Sequence, residues 1–263
     1  MPHFPQLATG ATGQYPMTRR VLKRTVVNPQ ADGRMWKLAD AAWSQVEWRL
    51  ELKGLTEAEW GALESLFHAV EGRLKSFTFL DPTDNLLAWS EQLGTPAWTI
   101  EPLLQLTTNI ADPLGSSRAT RVFNSGAAPQ KIEQTLSIPG WRQYCVSLYA
   151  RREQAGEVWV FARTGTAMAA QPFAIGPAWK RLEYPVKLST ADELIHFGVE
   201  LEAGASAEVF GIQVEAQPGA SKYKKTLGRN GVYAEARFLD DALVVRAEGP
   251  EQYACVVHVG ARL

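Results

Sequence analysis

The sequence predicts a mainly β protein in which an antiparallel β-sandwich is inserted into a split α+β domain. Three observations predict this arrangement. Short strand-like runs separated by turn residues recur through the middle of the chain, one strong helix signal precedes them, and three more strand-like runs follow. We therefore divide the chain into residues 1–88 (first part of the split domain), 89–227 (the sandwich) and 228–263 (the closing strands).

The composition is that of a globular protein with a buried core. Of 263 residues, 46% are apolar and 21% are charged, and the formal net charge is -1. A chain this close to neutral gives no electrostatic reason to bind nucleic acid. The N-terminus shows no signal-peptide pattern, and no stretch is apolar enough for a membrane span. We therefore expect folding in a cytoplasm and no insertion into a membrane.

The first segment combines an arm with a strand. Residues 1–30 are rich in Gly, Pro and Thr and carry a basic run at 19–24. Because such sequence cannot build a core alone, we expect an extended arm or loop. In residues 46–52, apolar positions alternate with charged ones, which predicts a strand with one face in water.

A helix is predicted from about residue 57 to residue 71. Thr56 can cap its first turn while the Glu59 side chain reaches back to the cap, and Leu55 and Trp60 stand at the positions of a hydrophobic staple. The apolar residues that share one face at helical spacing are Trp60, Leu63, Phe67 and Val70.

Seven strand-like runs predict the sandwich. They are residues 122–123, 132–138, 144–151, 158–162, 181–188, 195–201 and 209–214. The last run opens the most informative segment of the chain, residues 210–226, which alternates at first, breaks at a Pro–Gly pair and leaves through a basic exit. Three closing strands are expected at 234–238, 243–247 and 253–259.

The sequence shows no set of residues suited to catalysis. Asp240 with Asp241, and residues 81–85, are interpreted as turns rather than as a carboxylate pair or a cation loop. Cys145 and Cys255 are interpreted as small buried residues, with a disulfide as the alternative. Four histidines stand at no metal-ligand spacing and are expected to be surface or packed side chains: His3, His68, His196 and His258. We therefore expect no enzyme, no cofactor and no metal site.

Tryptophan is the residue type that leaves a binding role open. Five tryptophans fall in the predicted sandwich, at 89, 98, 141, 159 and 179. Burial tendencies favour core or strand-edge positions for them. Trp141 and Trp179 each follow a Pro-containing turn, so these two are the candidates for exposed rings that stack on a sugar.

The sandwich resembles the carbohydrate-binding-module-like jelly rolls of phage tail and tail-fibre proteins. The segment 210–226 resembles their closing strand, and residues 112–115, 144–151 and 179–181 follow the pattern in the same order. The resemblance covers about residues 89–226 and implies a jelly roll. Its implication for a ligand is weaker than for the fold, because many such modules look structural.

The flanking segments resemble a family that includes distal-tail proteins of phages and gene transfer agents. In that family a helix precedes a Gly-Arg turn and a Phe-x-Phe-x-Asp strand. The matching stretches are 4–10, Trp43, Trp48, Phe67, 71–73, 77–81 and 232–243.

This second resemblance implies a structural protein at a virion tail tip. It would form a homo-oligomeric ring, a hexamer by resemblance, between the tail tube protein and the baseplate hub protein. The alternative is a glycan-binding adhesion module that meets a cell-surface glycan through Trp141 and Trp179. A glycoside-acting enzyme is the weakest of the three hypotheses, because no acid–base pair is visible.

Overall fold

The computed structural model describes residues 1–40 and 43–263 and contains sixteen strands and one helix among them. In chain order they are β1 (Met17–Pro29), β2 (Met35–Leu55), α1 (Glu57–Ala69), β3 (Phe77–Leu80), β4 (Thr99–Ile100), β5 (Leu104–Ile110), β6 (Ala119–Asn124), β7 (Gln130–Leu136), β8 (Tyr144–Arg151), β9 (Gly156–Arg163), β10 (Met168–Ile175), β11 (Lys180–Val186), β12 (Ile195–Leu201), β13 (Ser206–Glu215), β14 (Val232–Phe238), β15 (Val245–Gly249) and β16 (Gln252–Arg262).

The chain forms two compact units. The split unit holds residues 1–8, 12–80 and 232–263, and the sandwich unit holds residues 9–11 and 81–231. No helix among the described residues has both the length and the apolar character that a membrane crossing requires.

The split unit is one sheet with a helix packed on it. The strand order is β1-β2-β16-β14-β3, and β15 pairs with the edge of β16. In β2, Val46, Trp48 and Leu50 are buried while Arg49 between them is exposed, so the predicted one-sided strand is confirmed, within a much longer strand.

The helix begins as its sequence predicts. The Thr56 side chain accepts a hydrogen bond from the Glu59 amide (3.3 Å), and the Glu59 carboxylate accepts one from the Thr56 amide (2.8 Å), which completes the capping box. Trp60 and Leu63 are buried against the sheet, and Leu55 is buried beside them.

The prediction that residues 1–30 are only an arm or loop is wrong. Phe4 is buried in the core, where its ring lies 5.3 Å from that of Phe79, and its amide donates to the carbonyl of Thr78. β1 pairs with β2 along its whole length. Residues 1–30 cannot form a hydrophobic core alone, but they complete the core of the split unit, because β2 and β3 supply the surface against which they pack. β1 itself is exposed except at Met17 and Leu22, which are partly buried.

The sandwich unit confirms the predicted antiparallel β-sandwich. One sheet has the order β10-β9-β12-β7-β4 and the other has the order β11-β8-β13-β6-β5. Alternate residues of each strand face the core between the sheets, where the rings of Tyr144 and Phe197 lie 5.4 Å apart. Three strands, β4, β5 and β10, stand outside the seven predicted runs. β10 is Ala-rich and carries Pro172, which an edge strand tolerates.

The simple alternation predicted at Phe210, Ile212 and Val214 is wrong because β13 contains a β-bulge. The register shifts between Phe210 and Gln213, and Gly211 adopts φ +64°. Phe210 therefore faces outward next to Tyr149, whereas Val214 pairs with Val146 in the core.

Buried Asn85 holds this bulge in place. Its side-chain Nδ2 donates to the carbonyl of Ile212 (3.0 Å), and its Oδ1 accepts from the amide of Val214 (3.0 Å). The segment that carries it begins with Asp81, whose Oδ1 accepts bonds from the amide and hydroxyl of Thr83. The predicted turn at residues 81–85 is confirmed.

Both cysteines are free and buried, which confirms their interpretation as small buried residues. Burial raises the pKa of Cys145 to about 12 and that of Cys255 to about 11. Thiols with such pKa values stay protonated and unreactive at neutral pH.

Candidate binding face of the sandwich

The outer face of the sheet β11-β8-β13-β6-β5 carries a row of one aromatic and four polar residues that we call the open row: Trp179, Arg151, Glu208, Arg121 and Thr107. The strand register sets them side by side, because Glu208 pairs with both Arg151 and Arg121, and Arg121 pairs with Thr107. Neighbouring strands lie about 4.8 Å apart, so the row from β8 to β5 extends over about 14 Å.

Glu208 lies at the centre of this row between two guanidinium groups. Arg121 donates through Nε (3.1 Å) and Nη2 (2.6 Å) to Oε1, and Arg151 donates through Nε (2.7 Å) to Oε2. The Glu208 side chain is 10% exposed, against 48% for Arg121 and 30% for Arg151. The row thus presents guanidinium groups to solvent over a shielded carboxylate.

The two arginines keep Glu208 ionised. Burial alone would raise the pKa of this carboxyl, but the hydrogen bonds and positive charge of Arg121 and Arg151 outweigh burial and hold the pKa below its ordinary value. Arg121 commits Nε and Nη2 to Glu208, and Arg151 commits Nε. Each guanidinium group has further N–H donors besides these.

Two aromatic rings belong to this surface, Trp179 at one end of the open row and Phe123 beside Arg121. The guanidinium carbon of Arg151 lies 4.7 Å from the centre of the half-buried Trp179 ring. This cation–π contact holds the arginine over one face of the indole. Next to Arg121 on the same face of the sheet, Phe123 is exposed and pairs with Ser206 and Gln105.

A small groove lies against the row at the start of β13. It has a volume of about 190 Å³ and is lined by Arg121, Glu208, Arg152 and Ser206, among others. Its polar walls and the neighbouring rings form a surface that combines hydrogen-bond donors, acceptors and flat apolar area.

The other half of the same sheet face is closed, and we call it the covered half. The basic exit of the sequence, residues 221–226, crosses it. The Tyr223 ring lies 5.2 Å from that of Phe210, and its hydroxyl lies 2.8 Å from the Ser90 hydroxyl. Lys224 pairs with Glu215 at 2.7 Å. These basic residues therefore fasten the exit segment to the sheet.

Arg118 is the central cation of the covered half. It reaches Asp112 with Nε (2.9 Å) and Glu91 with Nη1 (3.0 Å), and both carboxylate side chains are almost fully buried. Burial alone would raise the pKa of Asp112, but hydrogen bonds from Arg118 and from three backbone amides outweigh it and lower the pKa. Lys225 adds a second cation on Glu91 at 2.6 Å.

The structure does not bring the two predicted stacking residues together. Trp179 precedes β11 and lies beside Arg151, at the last residue of β8. Trp141 is 42% exposed in the loop before β8, near its first residue, Tyr144. The ends of this eight-residue strand are about 23 Å apart, so the two rings belong to different ends of the sandwich.

The remaining tryptophans of the sandwich lie in varied surroundings. Trp98 is buried and donates through Nε1 to the carbonyl of Trp89 (3.1 Å). Trp159 is half-buried in β9 of the opposite sheet. Among residues 1–40 and 43–263, no cluster of three His, Cys, Asp or Glu side chains is suited to a metal ion.

Arg121, Arg151 and Glu208 have no signal in the sequence that marks them as a group. They are 30 and 57 residues apart along the chain and come together only through strand pairing. Each stands at an outward position of an alternating strand, where a charged residue is ordinary. Only the pairing of β13 with β6 and β8 brings these three residues together.

No protein-family model matches this chain, and no curated protein matches it. Among solved structures, TmCBM61 in complex with β-1,4-galactotriose is 12% identical, with a TM-score of 0.39, over 49% of this chain and 97% of that chain. The CBM22-1 xylan-binding domain from Paenibacillus barcinonensis Xyn10C is 14% identical, with a TM-score of 0.42, over 52% and 97%.

A third similar structure is the enzymatically active domain of bacteriophage CBA120 tailspike protein 4. It is 13% identical, with a TM-score of 0.39, over 52% of this chain and 22% of that chain. Carbohydrate-binding-module jelly rolls are thus among the structures similar to this chain. Similarity of this degree assigns neither a ligand nor an activity to it.

Proposed function

We propose that the sandwich unit binds a glycan across the open row. The observation that carries this proposal is the set of guanidinium donors on Arg151 and Arg121, exposed on a sheet face beside the half-buried Trp179 ring. The role is one of binding, without catalysis.

Sugar recognition needs the two kinds of surface that this face combines. Hydroxyl groups and ring oxygens accept hydrogen bonds from fixed, planar donors, and the guanidinium group presents several donors in one plane. The apolar face of a pyranose stacks on an aromatic ring, for which Trp179 and Phe123 are placed. Because Glu208 fixes both arginines from below, their donors are ordered before a ligand arrives, which reduces the entropy cost of binding.

A glycan array probed with the full chain tests this proposal. We expect retention on at least one oligosaccharide, and we expect Arg121→Ala and Trp179→Ala to reduce it tenfold or more. Trp141→Ala is the matched control, since Trp141 lies at the other end of β8 and should leave binding unchanged. Retention on no glycan, or loss in Trp141→Ala alone, would contradict the proposal.

We propose as a second candidate that the chain is a structural protein of a phage-like tail, in a ring between the tail tube and the baseplate hub. The specific observation in its favour is the distal part of the β1–β2 hairpin, an exposed apolar projection that an isolated soluble module does not need. The two candidates are compatible, because one concerns the sandwich unit and the other the split unit.

Gold-labelled antibody against the full chain, applied to tailed particles and viewed by electron microscopy, tests the second candidate. Label at the tail tip is expected. Particles that carry the protein elsewhere, or tailed particles without it, would contradict a place in the ring.

A further inference from the structure

The distal part of the β1–β2 hairpin projects from the split unit, and we call it the arm (residues 23–40). β16 pairs with β2 only as far as Gln45, and among the described residues the arm pairs with no third strand. A two-stranded hairpin alone in water is marginally stable. The arm therefore needs a surface to pack on.

One face of the arm carries an apolar stripe formed by Val26, Leu38 and Trp36. Val26 pairs directly with Leu38, and Trp36 lies two residues along the same strand and therefore on the same face. Leu38 is 57% exposed and Trp36 is 63% exposed. Large apolar side chains grouped in this way mark an interaction surface.

A groove of matching character lies on the same split unit. It has a volume of about 750 Å³, runs beside β2 and β16, and includes the exposed residues Val244 and Val256. Its carboxylates are Glu51, Asp240 and Asp241.

The arm as a whole and the groove carry opposite net charges, and the excess positive charge of the arm lies on Lys23 and Lys37, because Arg24 pairs with Asp40 and Arg34 with Asp32. The arm has four basic residues (Lys23, Arg24, Arg34 and Lys37) and two acidic ones (Asp32 and Asp40), so its net charge is +2. The groove has three carboxylates against Lys53 and Arg246, which leaves a net charge of -1 without His258.

We propose that the arm of one copy docks in this groove of a second copy. The arm cannot reach the groove of its own chain, because both lie on β2, with Leu38 and Leu52 about 45 Å apart along an extended strand. Because the arm and the groove are different surfaces, the contact between two copies is head-to-tail. Repeating it gives a ring if the rotation that relates one copy to the next closes after a whole number of copies. This inference rests on the second candidate function, and it identifies the surfaces through which neighbouring copies in the ring would meet.

Two aspartate substitutions of the full chain test it by analytical ultracentrifugation. We expect the wild-type chain to form oligomers. The dissociation constant of these oligomers should rise at least tenfold in Leu38→Asp, which places a charge on the apolar stripe of the arm, and in Val244→Asp, which places a charge in the groove. Both positions are exposed, so the thermal midpoint should be unchanged. Val27→Asp, on the opposite face of the arm, is the matched control and should leave assembly intact.

Mixing the two variants gives the sharpest result. Val244→Asp keeps an intact arm, and Leu38→Asp keeps an intact groove, so an equal mixture should form complexes of two chains and no larger species. Oligomers that survive both substitutions, or a mixture that stays monomeric, would overturn the arm–groove contact while self-assembly stands. A wild-type chain that stays monomeric at every concentration would overturn both this contact and the second candidate.

Discussion

The open row and the covered half lie on the same face of one sheet, and both are built from ion pairs between arginine and carboxylate side chains. In the covered half, Arg118 joins Asp112 and Glu91, whose side chains are almost fully withdrawn from water. In the open row, the arrangement is inverted, since one carboxylate, Glu208, lies between two partly exposed arginines.

The two halves differ in the burial of their carboxylates and in the segment that covers one of them, and we propose a structural role for the covered half and a binding role for the open row. Breaking an ion pair whose remaining charge is buried is costly, whereas an exposed pair contributes little to stability. The exit segment, which packs Tyr223 against Phe210, shields the covered half from solvent and leaves the open row exposed. We therefore expect different roles for Glu208 and Arg118, although both form ion pairs on the same sheet.

The largest expected effect is that of removing Arg118. Arg118→Ala leaves Asp112 and Glu91 close together without their shared cation, and we expect a loss of about 3 kcal/mol in the free energy of unfolding. Urea denaturation measures it. The matched variant is Arg121→Ala, and equal losses in the two would remove the distinction between the halves.

The next effect concerns the bulge that lets Tyr223 approach. Gly211 has φ +64°, and a Cβ there would lie 2.9 Å from the Tyr223 ring. We expect Gly211→Ala to cost about 2 kcal/mol in stability from backbone strain, with displacement of the exit segment in addition. Gly219→Ala, where a Cβ meets nothing within 4 Å, is the control for thermal unfolding. A Gly211→Ala protein as stable as the control would contradict this account of the bulge.

Acid should loosen the covered half through Asp112. Its pKa is lowered in the folded state, so its contribution to stability is present above the ordinary carboxyl pKa of about 4 and is lost as the pH falls below that value. We expect the urea midpoint to fall between pH 5 and pH 3. The fall should be smaller in Arg118→Ala, in which the main cause of the lowered pKa is gone, and an undiminished fall would assign the pH dependence to other groups.

The smallest effect on stability is expected in the open row itself. Arg121 is about half exposed, so Arg121→Ala should cost under about 1 kcal/mol in the free energy of unfolding. The same variant should lose glycan retention. A stability loss as large as that of Arg118→Ala would make Arg121 structural and leave the open row without its proposed role.

The sequence predicts a structural feature correctly where the residues that determine it are neighbours along the chain. The capping box at Thr56 and Glu59 and the alternation around Trp48 are read within a few residues, and both are present in the structure. The same local pattern predicts the wrong side of the sheet for Phe210, because a bulge at Gly211 reverses the direction of the side chains that follow.

The binding face depended on long-range pairing and was only partly accessible. The turn before Trp179 predicts a candidate stacking ring, and in the structure Trp179 forms one end of the open row. The same reasoning predicts Trp141, which lies at the other end of β8. No local pattern predicts the two arginines as a group, since nothing within β6 or β8 shows that β13 brings Glu208 between them.

The central claim is that the open row binds the ligand while the covered half holds the fold. Amide chemical-shift mapping of the full chain, titrated with the oligosaccharide best retained on the array, tests this most directly. The account predicts shifts centred on Arg121, Arg151 and Glu208, with the amides of Asp112 and Tyr223 unmoved. Shifts centred on Trp141 or on the split unit would contradict it.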